Sequence, residues 1–323
     1  MVNRTFLIAA VALFAGCNMV DFKGFVVPTG DVVDTRFEMS VEKTEDKALA
    51  RIETAENYLF YVSTDPHIDD TAYNLREFVG ALRNDSAASF GVVLGDCIDR
   101  KNTFPNYVAA LEYSADVQAV NLPIFSLIGN HDLYFSGWDD FYKYVGPSVY
   151  WFEVVCGESC DLFIALDSSS GTLGRRQLKW LQQLLEARRN NYRHCIVMTH
   201  TNLFYTDNSQ TGSGNMTMEE TAMLTNLFSK KRVTLCLQGH DHYREDLTFG
   251  GVRYTIVGTI RDDFEKPEFL TISLSIWGRI WLEIPQIIHF LTPNRVYFFT
   301  QNTVKNYEKS FRLKRLNVAV FVD

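Results

Sequence analysis

Between residues 58 and 242 the sequence repeats one arrangement five times: a short apolar run, followed at once by Asp, Asn or His. Asp65-Pro66-His67 follows Tyr58–Ser63. Gly95-Asp96-Cys97-Ile98-Asp99-Arg100 follows Val92-Val93-Leu94. Gly129-Asn130-His131-Asp132 follows Ile124–Ile128. His200 follows Ile196-Val197-Met198, and Gly239-His240-Asp241-His242 follows Leu235-Cys236-Leu237. Short apolar runs of this kind read as buried strands. In an open α/β sheet the carboxyl ends of strands line the ligand crevice. Side chains far apart in the chain are therefore expected at one edge of the fold.

The runs between these clusters complete an α/β pattern. Residues 71–83 carry Leu75, Phe78, Val79 and Leu82 at helical spacing, and 174–189 place Leu178, Leu181, Leu184 and Leu185 on one face. Helices are also expected over 106–120 and 219–230. Strands are expected over 89–94, 124–128, 194–199 and 233–238, with two antiparallel strands in 148–166. Strands dominate 247–284, with a hairpin turning at Trp277-Gly278. The expected fold class is α/β: a two-sheet β-sandwich flanked by helices, in four layers α/β/β/α. A chain of 323 residues with 46% apolar side chains fits one large domain better than two. Residues 204–218 (FYTDNSQTGSGNMTM) read as a long loop directly after His200, expected to wall the site.

The clusters offer carboxylates, imidazoles and one amide, and five of the seven histidines lie in them. Oxygen and nitrogen donors of this kind suit Zn, Mn or Fe rather than a thiolate-seeking metal. Each cluster alone is a weak signal: Asp-x-His is usually a turn, and Gly-Asn-His-Asp is often a tight loop with a helix cap. Five in succession after strands point to a metal centre. The net charge of -8 argues against long nucleic-acid partners and says nothing against a small phosphate ester.

In order, the motifs are Asp-x-His, Gly-Asp-x-x-Asp, Gly-Asn-His-Asp, a lone His and Gly-His-x-His. This series resembles the calcineurin-like metallophosphoesterases over about residues 57–284. The resemblance implies one metal held by Asp65, His67, Asp96 and His242. It implies a second held by Asp96, Asn130, His200 and His240, so that Asp96 bridges two divalent or trivalent ions. It implies hydrolysis of a phosphate ester by a bridging hydroxide, with His131 as general acid. Resemblance to the protein-phosphatase branch implies that Asp99 orients and charges His131 and that Arg100 contacts phosphate. The plainer readings are a helix cap for Asp99 and a surface ion pair for Arg100. Asp132 is expected to support its loop, and Asp167, His194 and His289 have no placed partner. The other class of function is a catalytically silent, metal-binding surface lipoprotein with a binding or scaffolding role. That reading predicts a lost ligand or a lost His131, and every motif is intact.

The ends carry different signals. After Arg4, Thr5–Gly16 is an apolar run of the length of a signal peptide, too short to span a bilayer. It ends in Phe14-Ala15-Gly16-Cys17, which resembles a lipobox with Phe14 where Leu is commoner. The expectation is a leader over 1–16, a lipid on Cys17, and an extracytoplasmic, membrane-anchored protein. The alternative is ordinary signal cleavage near Ala15-Gly16. Residues 17–56 are read as a tether and N-terminal edge segment, with Val26–Asp34 as an edge strand or as tether. Residues 285–323 are read as a C-terminal extension packed on the domain. Cys97, Cys195 and Cys236 read as small buried apolar groups. Cys156 and Cys160 flank a turn, and in an oxidising compartment that spacing admits a bridge.

Overall fold

Tyr58, Phe60 and Val62 alternate with Leu59 and Tyr61 along the first long strand, and that period of two decides the architecture. One face looks into a core between two sheets; the other meets a helix, where Tyr61 packs on Phe78. The structure, a computed structural model, describes residues 32–54, 57–100, 102–113, 121–134, 136–204, 216–274 and 280–284.

Among the described residues twelve strands form two mixed sheets. The smaller is ordered β12 (Ile280–Glu283), β11 (Leu270–Leu274), β2 (Tyr58–Ser63), β3 (Ala88–Val93), β4 (Ile124–Ser126). Within it β2, β3 and β4 run parallel, and β11 pairs antiparallel with β2 and β12. The larger is ordered β1 (Arg51–Thr54), β5 (Tyr150–Cys156), β6 (Ser159–Ala165), β7 (Cys195–Met198), β8 (Leu235–Gln238), β10 (Val252–Ile256), β9 (Glu245–Phe249). Here β6, β7, β8 and β10 are parallel neighbours.

Aromatic rings fill the space between the sheets. Phe60 stacks on Phe90 at 4.8 Å, Phe125 on Phe152 at 4.0 Å and Phe152 on Phe163 at 4.8 Å, with Phe60 and Phe163 edge to face. All four rings Phe60, Phe90, Phe152 and Phe163 are fully buried, so truncating any one to Ala costs about 3–5 kcal/mol. A second apolar layer lies under the helices on the far side of the larger sheet. There α5 (Gly174–Arg188) buries Leu181, Leu184 and Leu185, and α6 (Met218–Lys230) buries Leu224 and Phe228. On the smaller sheet, α2 (Tyr73–Asn84) buries Leu75, Phe78, Val79 and Leu82, the four positions that its periodicity marked.

Three expectations change. The helix expected over 106–120 is α3, Phe104–Leu111, and residues 114–120 lie outside the described residues. Its end is set from a distance: the Arg83 guanidinium donates to the carbonyls of Leu111, Glu112 and Tyr113 and caps it there. Residues 33–44, read as part of a tether and edge segment, form helix α1 (Val33–Thr44); an edge strand does follow as β1. Cys156 and Cys160 are both free thiols. In their hairpin Cys156 pairs with Ser159 and Val155 with Cys160, so the two cysteines point to opposite faces. Cys156 enters the inter-sheet core and Cys160 the layer under the helices. No bridge can join them without moving the backbone.

The leader with Cys17, the stretch 26–31, residues 205–215 of the loop after His200, the turn Trp277-Gly278 and the extension 285–323 with His289 lie outside the described residues. Among the described residues no helix is long and apolar enough to cross a membrane.

Candidate metal centre

Asp65-Pro66-His67 leaves β2, Gly95–Asp99 leaves β3, and Gly129–Asp132 leaves β4; His200 leaves β7 and Gly239–His242 leaves β8. Three clusters thus come from the smaller sheet and two from the larger. They meet at the carboxyl edge of the sandwich. Asp65, His67 and His242 present ligand atoms within 4.8 Å of one another, as do Asp96, His200 and His240.

The turns that bring them there are tight. Asp65 (φ 52°), His67 (45°), Asp96 (49°), His240 (73°) and His242 (64°) all adopt the left-handed backbone that residues with a Cβ avoid. Conformations of this kind cost of order 1–3 kcal/mol each and persist where the surroundings enforce them. Two glycines make room. A Cβ on Gly129 would lie 2.1 Å from the Asp96 carboxylate, and one on Gly239 would lie 2.1 Å from Thr64 Oγ1. Asp132 ties two of the loops together. Its carboxylate accepts from Ile98 N at 3.1 Å and Gly129 N at 2.8 Å, the loop-supporting role expected of it. Burial and the nearby Asp96 charge push Asp132 up to about 7.

The donor atoms face one another. In the first group His67 Nε2 lies 3.6 Å from Asp65 Oδ1, 3.6 Å from Asp96 Oδ2 and 3.3 Å from His242 Nε2. His242 Nε2 is 3.4 Å from Asp65 Oδ1. In the second, His200 Nε2 lies 3.4 Å from Asp96 Oδ1, 3.1 Å from Asn130 Oδ1 and 3.2 Å from His240 Nδ1. Ligands about 2.1 Å from a shared tetrahedral cation stand about 3.4 Å apart, so these spacings fit a metal ion in each group. Asp65 supplies a further sign. Its Oδ2 accepts from Thr64 Oγ1 and His240 N, while the buried Oδ1 has no hydrogen-bond partner and faces the two imidazoles. An unsatisfied buried carboxylate oxygen is costly unless a cation answers it. The His200 Nδ1 donates to the Leu94 carbonyl at 2.9 Å, which leaves Nε2 to face Asp96, Asn130 and His240.

The electrostatics agree. Burial alone would raise Asp65 and Asp96, yet the surrounding imidazoles hold both below the usual carboxylate range. Burial alone would lower His67 and His200, yet the carboxylates push them up to about 10 and about 9. The cluster is a concentration of negative charge that collects protons when nothing stronger is present.

His131 stands beside this centre. Its backbone N donates to Asp96 Oδ1 at 2.8 Å, and its ring meets His67 edge to face at 4.5 Å. Asp99 Oδ1 lies between two rings, 3.6 Å from His131 Nδ1 and 3.5 Å from His67 Nδ1. Burial lowers the His131 pKa against the pull of the Asp96 and Asp99 charges. Arg100 takes the plainer of its two readings. It is exposed and forms an ion pair with Asp69 at the surface. Sequence reasoning passed over three participants. The Tyr134 hydroxyl holds the Asn130 amide nitrogen at 3.3 Å. Thr259 Oγ1 donates to the Asp65 carbonyl at 2.7 Å. The Ser168 hydroxyl accepts from His200 N and Thr201 N at 3.0 and 2.9 Å. Asp167-Ser168 also follows an apolar strand, β6, so the pattern that found the five clusters would have found a sixth.

No curated protein matches the chain. Several solved structures share its fold. GAP50, described as the anchor in the inner membrane complex of Plasmodium, aligns with TM-score 0.55 and 16% identity over 71% of this chain and 84% of its own. A dimetal phosphatase from Danio rerio aligns with TM-score 0.50 and 14% identity over 68% and 93%. The purple acid phosphatase PPD1 from yellow lupin (Lupinus luteus) aligns with TM-score 0.54 and 14% identity over 76% of this chain and 53% of its own. The family model for calcineurin-like phosphoesterases matches residues 58–244, the span that carries all five clusters, and the chain belongs to that family.

Proposed function

We propose that the protein is a two-cation hydrolase of small phosphate esters. The observation that carries the reading is the convergence of seven donor residues in two groups sharing Asp96, with a bare, buried Asp65 Oδ1 among them. Asp65, His67, Asp96 and His242 hold one ion; Asp96, Asn130, His200 and His240 hold the other. When bound, two divalent or trivalent ions (Mn, Zn or Fe) supply an activated water and neutralise charge on the phosphoryl oxygens.

The chain's own part is orientation and proton delivery. Asp96 fixes the His131 backbone, and Asp99 faces His131 Nδ1. His131 Nε2 is then the atom that gives a proton to the leaving oxygen. The Asp99 carboxylate offsets the burial that disfavours a charged His131. Purified protein loaded with Mn or Zn tests the reading on p-nitrophenyl phosphate and bis(p-nitrophenyl) phosphate. Turnover is expected, and preference for one ester assigns monoesterase or diesterase. Two inert esters overturn the proposal in favour of a binding or scaffolding protein.

We also propose that the protein works outside the cytoplasm, tethered by a lipid on Cys17. The apolar run Thr5–Gly16 before Cys17 supports this. A Cys17→Ala variant is expected to leave the membrane fraction; one that stays there as fully as the parent overturns it.

A further inference from the structure

Helix α1 lies ahead of the span that matches the family, and its buried side chains are unusual for a helix packed on a domain. They are Arg36, Phe37 and Ser40. Arg36 is completely buried, and so is its partner Asp167. The guanidinium meets the carboxylate with two nitrogens, Nε at 2.8 Å and Nη2 at 3.1 Å. Nη2 also donates to Ser169 and Ser170 Oγ. Ser148 and Ser169 donate to the same carboxylate at 2.9 and 2.6 Å, and Ser40 Oγ accepts from Ser148 N. Burial would raise Asp167, but Arg36 and these hydroxyls hold it below the usual range. A charge pair removed from water to this degree survives only with its hydrogen bonds complete.

The loop so clamped leads to the metal centre. Asp167 N and O are both engaged by the Gln177 amide of α5. The next residue, Ser168, receives His200 N and Thr201 N on its hydroxyl, and its carbonyl accepts from Thr201 Oγ1 at 2.6 Å. His200 is thus held from behind by Ser168, while its ring faces Asp96, Asn130 and His240. Asp65, His67 and His242 make none of these contacts directly; Asp65 reaches the loop only through His240 and His200.

We propose that Arg36 is a positioning residue for the half of the metal centre formed by Asp96, Asn130, His200 and His240. It acts through Asp167 and Ser168 on the backbone of His200. The supporting residues behind a ligating histidine set ligand affinity over about 10–100-fold when changed. Helix α1 is then part of the working site although it lies outside the family span.

The test compares the two halves of the centre in one protein. Arg36→Ala strands the Asp167 charge in the core and is a poor first variant. Arg36→Met combined with Asp167→Asn leaves the network neutral, and Ser168→Ala removes only the hydroxyl that accepts from His200 N and Thr201 N. In the metal-free protein, hydrogen exchange of the 199–203 segment is expected to speed up about tenfold or more in both variants, with the 65–68 segment unchanged. A uniform rise in exchange across the chain, or none at 199–203, overturns the proposal. This readout needs no metal and so stands apart from the two-cation reading on which the second measurement rests. In that measurement, calorimetric titration with Mn, the parent is expected to bind two ions. The variants are expected to bind one of them about tenfold more weakly and the other as the parent does. Equal weakening of both, or of neither, counts against Arg36 as a positioning residue. A parent that binds one ion defeats the two-cation reading and leaves the exchange result to decide on Arg36.

Discussion

The two halves of the metal centre are built from similar donors but sit in different surroundings. Asp96, His200 and His240 are all buried, and His200 is braced at its ring by Leu94 and at its backbone by Ser168. Asp65 and His67 are equally buried, but His242 is part-exposed, and the neighbouring Asp99 and His131 side chains are 32% and 28% exposed. One half is the more closed of the two, with Asn130 half-buried at its edge. The other opens toward solvent on the side that carries Asp99 and His131. The difference teaches that the site is not a symmetric cage, and variants divide by the half they touch.

The largest effect is expected where the halves join. Asp96 reaches His67 with one oxygen and His200 with the other. Asp96→Ala is expected to lose both ions, and with them activity by about 10³-fold or more, because the ions contribute several kcal/mol to the transition state. Elemental analysis after desalting checks it. An ion retained at parent affinity would show that the halves do not depend on Asp96. His131→Ala is expected to keep both ions and lose about 10²–10⁴-fold in turnover, most for poor leaving groups. Collapse of metal content would instead make His131 a support of the open half.

Acidity sharpens the comparison next. His67 and His200, one in each half, are pushed up to about 10 and about 9 without metal. Both therefore carry protons at neutral pH, and metal must displace them. Affinity is expected to rise with pH until about 9 for the closed half and about 10 for the open half. Proton release, read by titration in buffers of different ionisation enthalpy, checks it; binding with no proton release would refute it. The sign for stability is opposite. A raised imidazole pKa stabilises the metal-free fold below the unfolded value near 6.5, and that contribution is lost as pH climbs through about 9 and 10.

Much of this was readable in advance, and the failures share a cause. The strands behind the five clusters and the buried face of α2 follow from periodicity, because apolar burial there is local and regular. Helix α1 escaped because it buries Arg36 and Ser40, which no apolar pattern marks. The end of α3 escaped because Arg83, far away in sequence, supplies its cap. The seven donor residues were legible through the recurrence of strand and cluster. Their left-handed backbone was not, since no local preference of Asp or His demands it. The brace behind His200 was visible only as Asp167 without a partner.

A smaller effect is expected at Asp99, which touches the open half alone. Asp99→Asn removes the charge that offsets burial at His131, so the proton leaves His131 at lower pH. The alkaline limb of the activity profile should shift down, with a loss of about tenfold at neutral pH and metal content intact. An unshifted limb would detach Asp99 from proton delivery.

The smallest effect is expected at Arg100, and it bears most directly on where the open half ends. The family pattern puts a phosphate contact at this residue, yet its side chain is 68% exposed and spent on Asp69, itself partly exposed. Exposed ion pairs of this kind contribute about 0–1 kcal/mol and are screened by salt. A guanidinium that met substrate phosphate would instead give a charge-assisted contact whose loss raises KM by an order of magnitude or more. Arg100→Ala is therefore expected to leave kcat and KM within about twofold of the parent, with stability within about 1 kcal/mol. A tenfold rise in KM would mean that Arg100 leaves Asp69 when substrate arrives, and would extend the open half outward to include it.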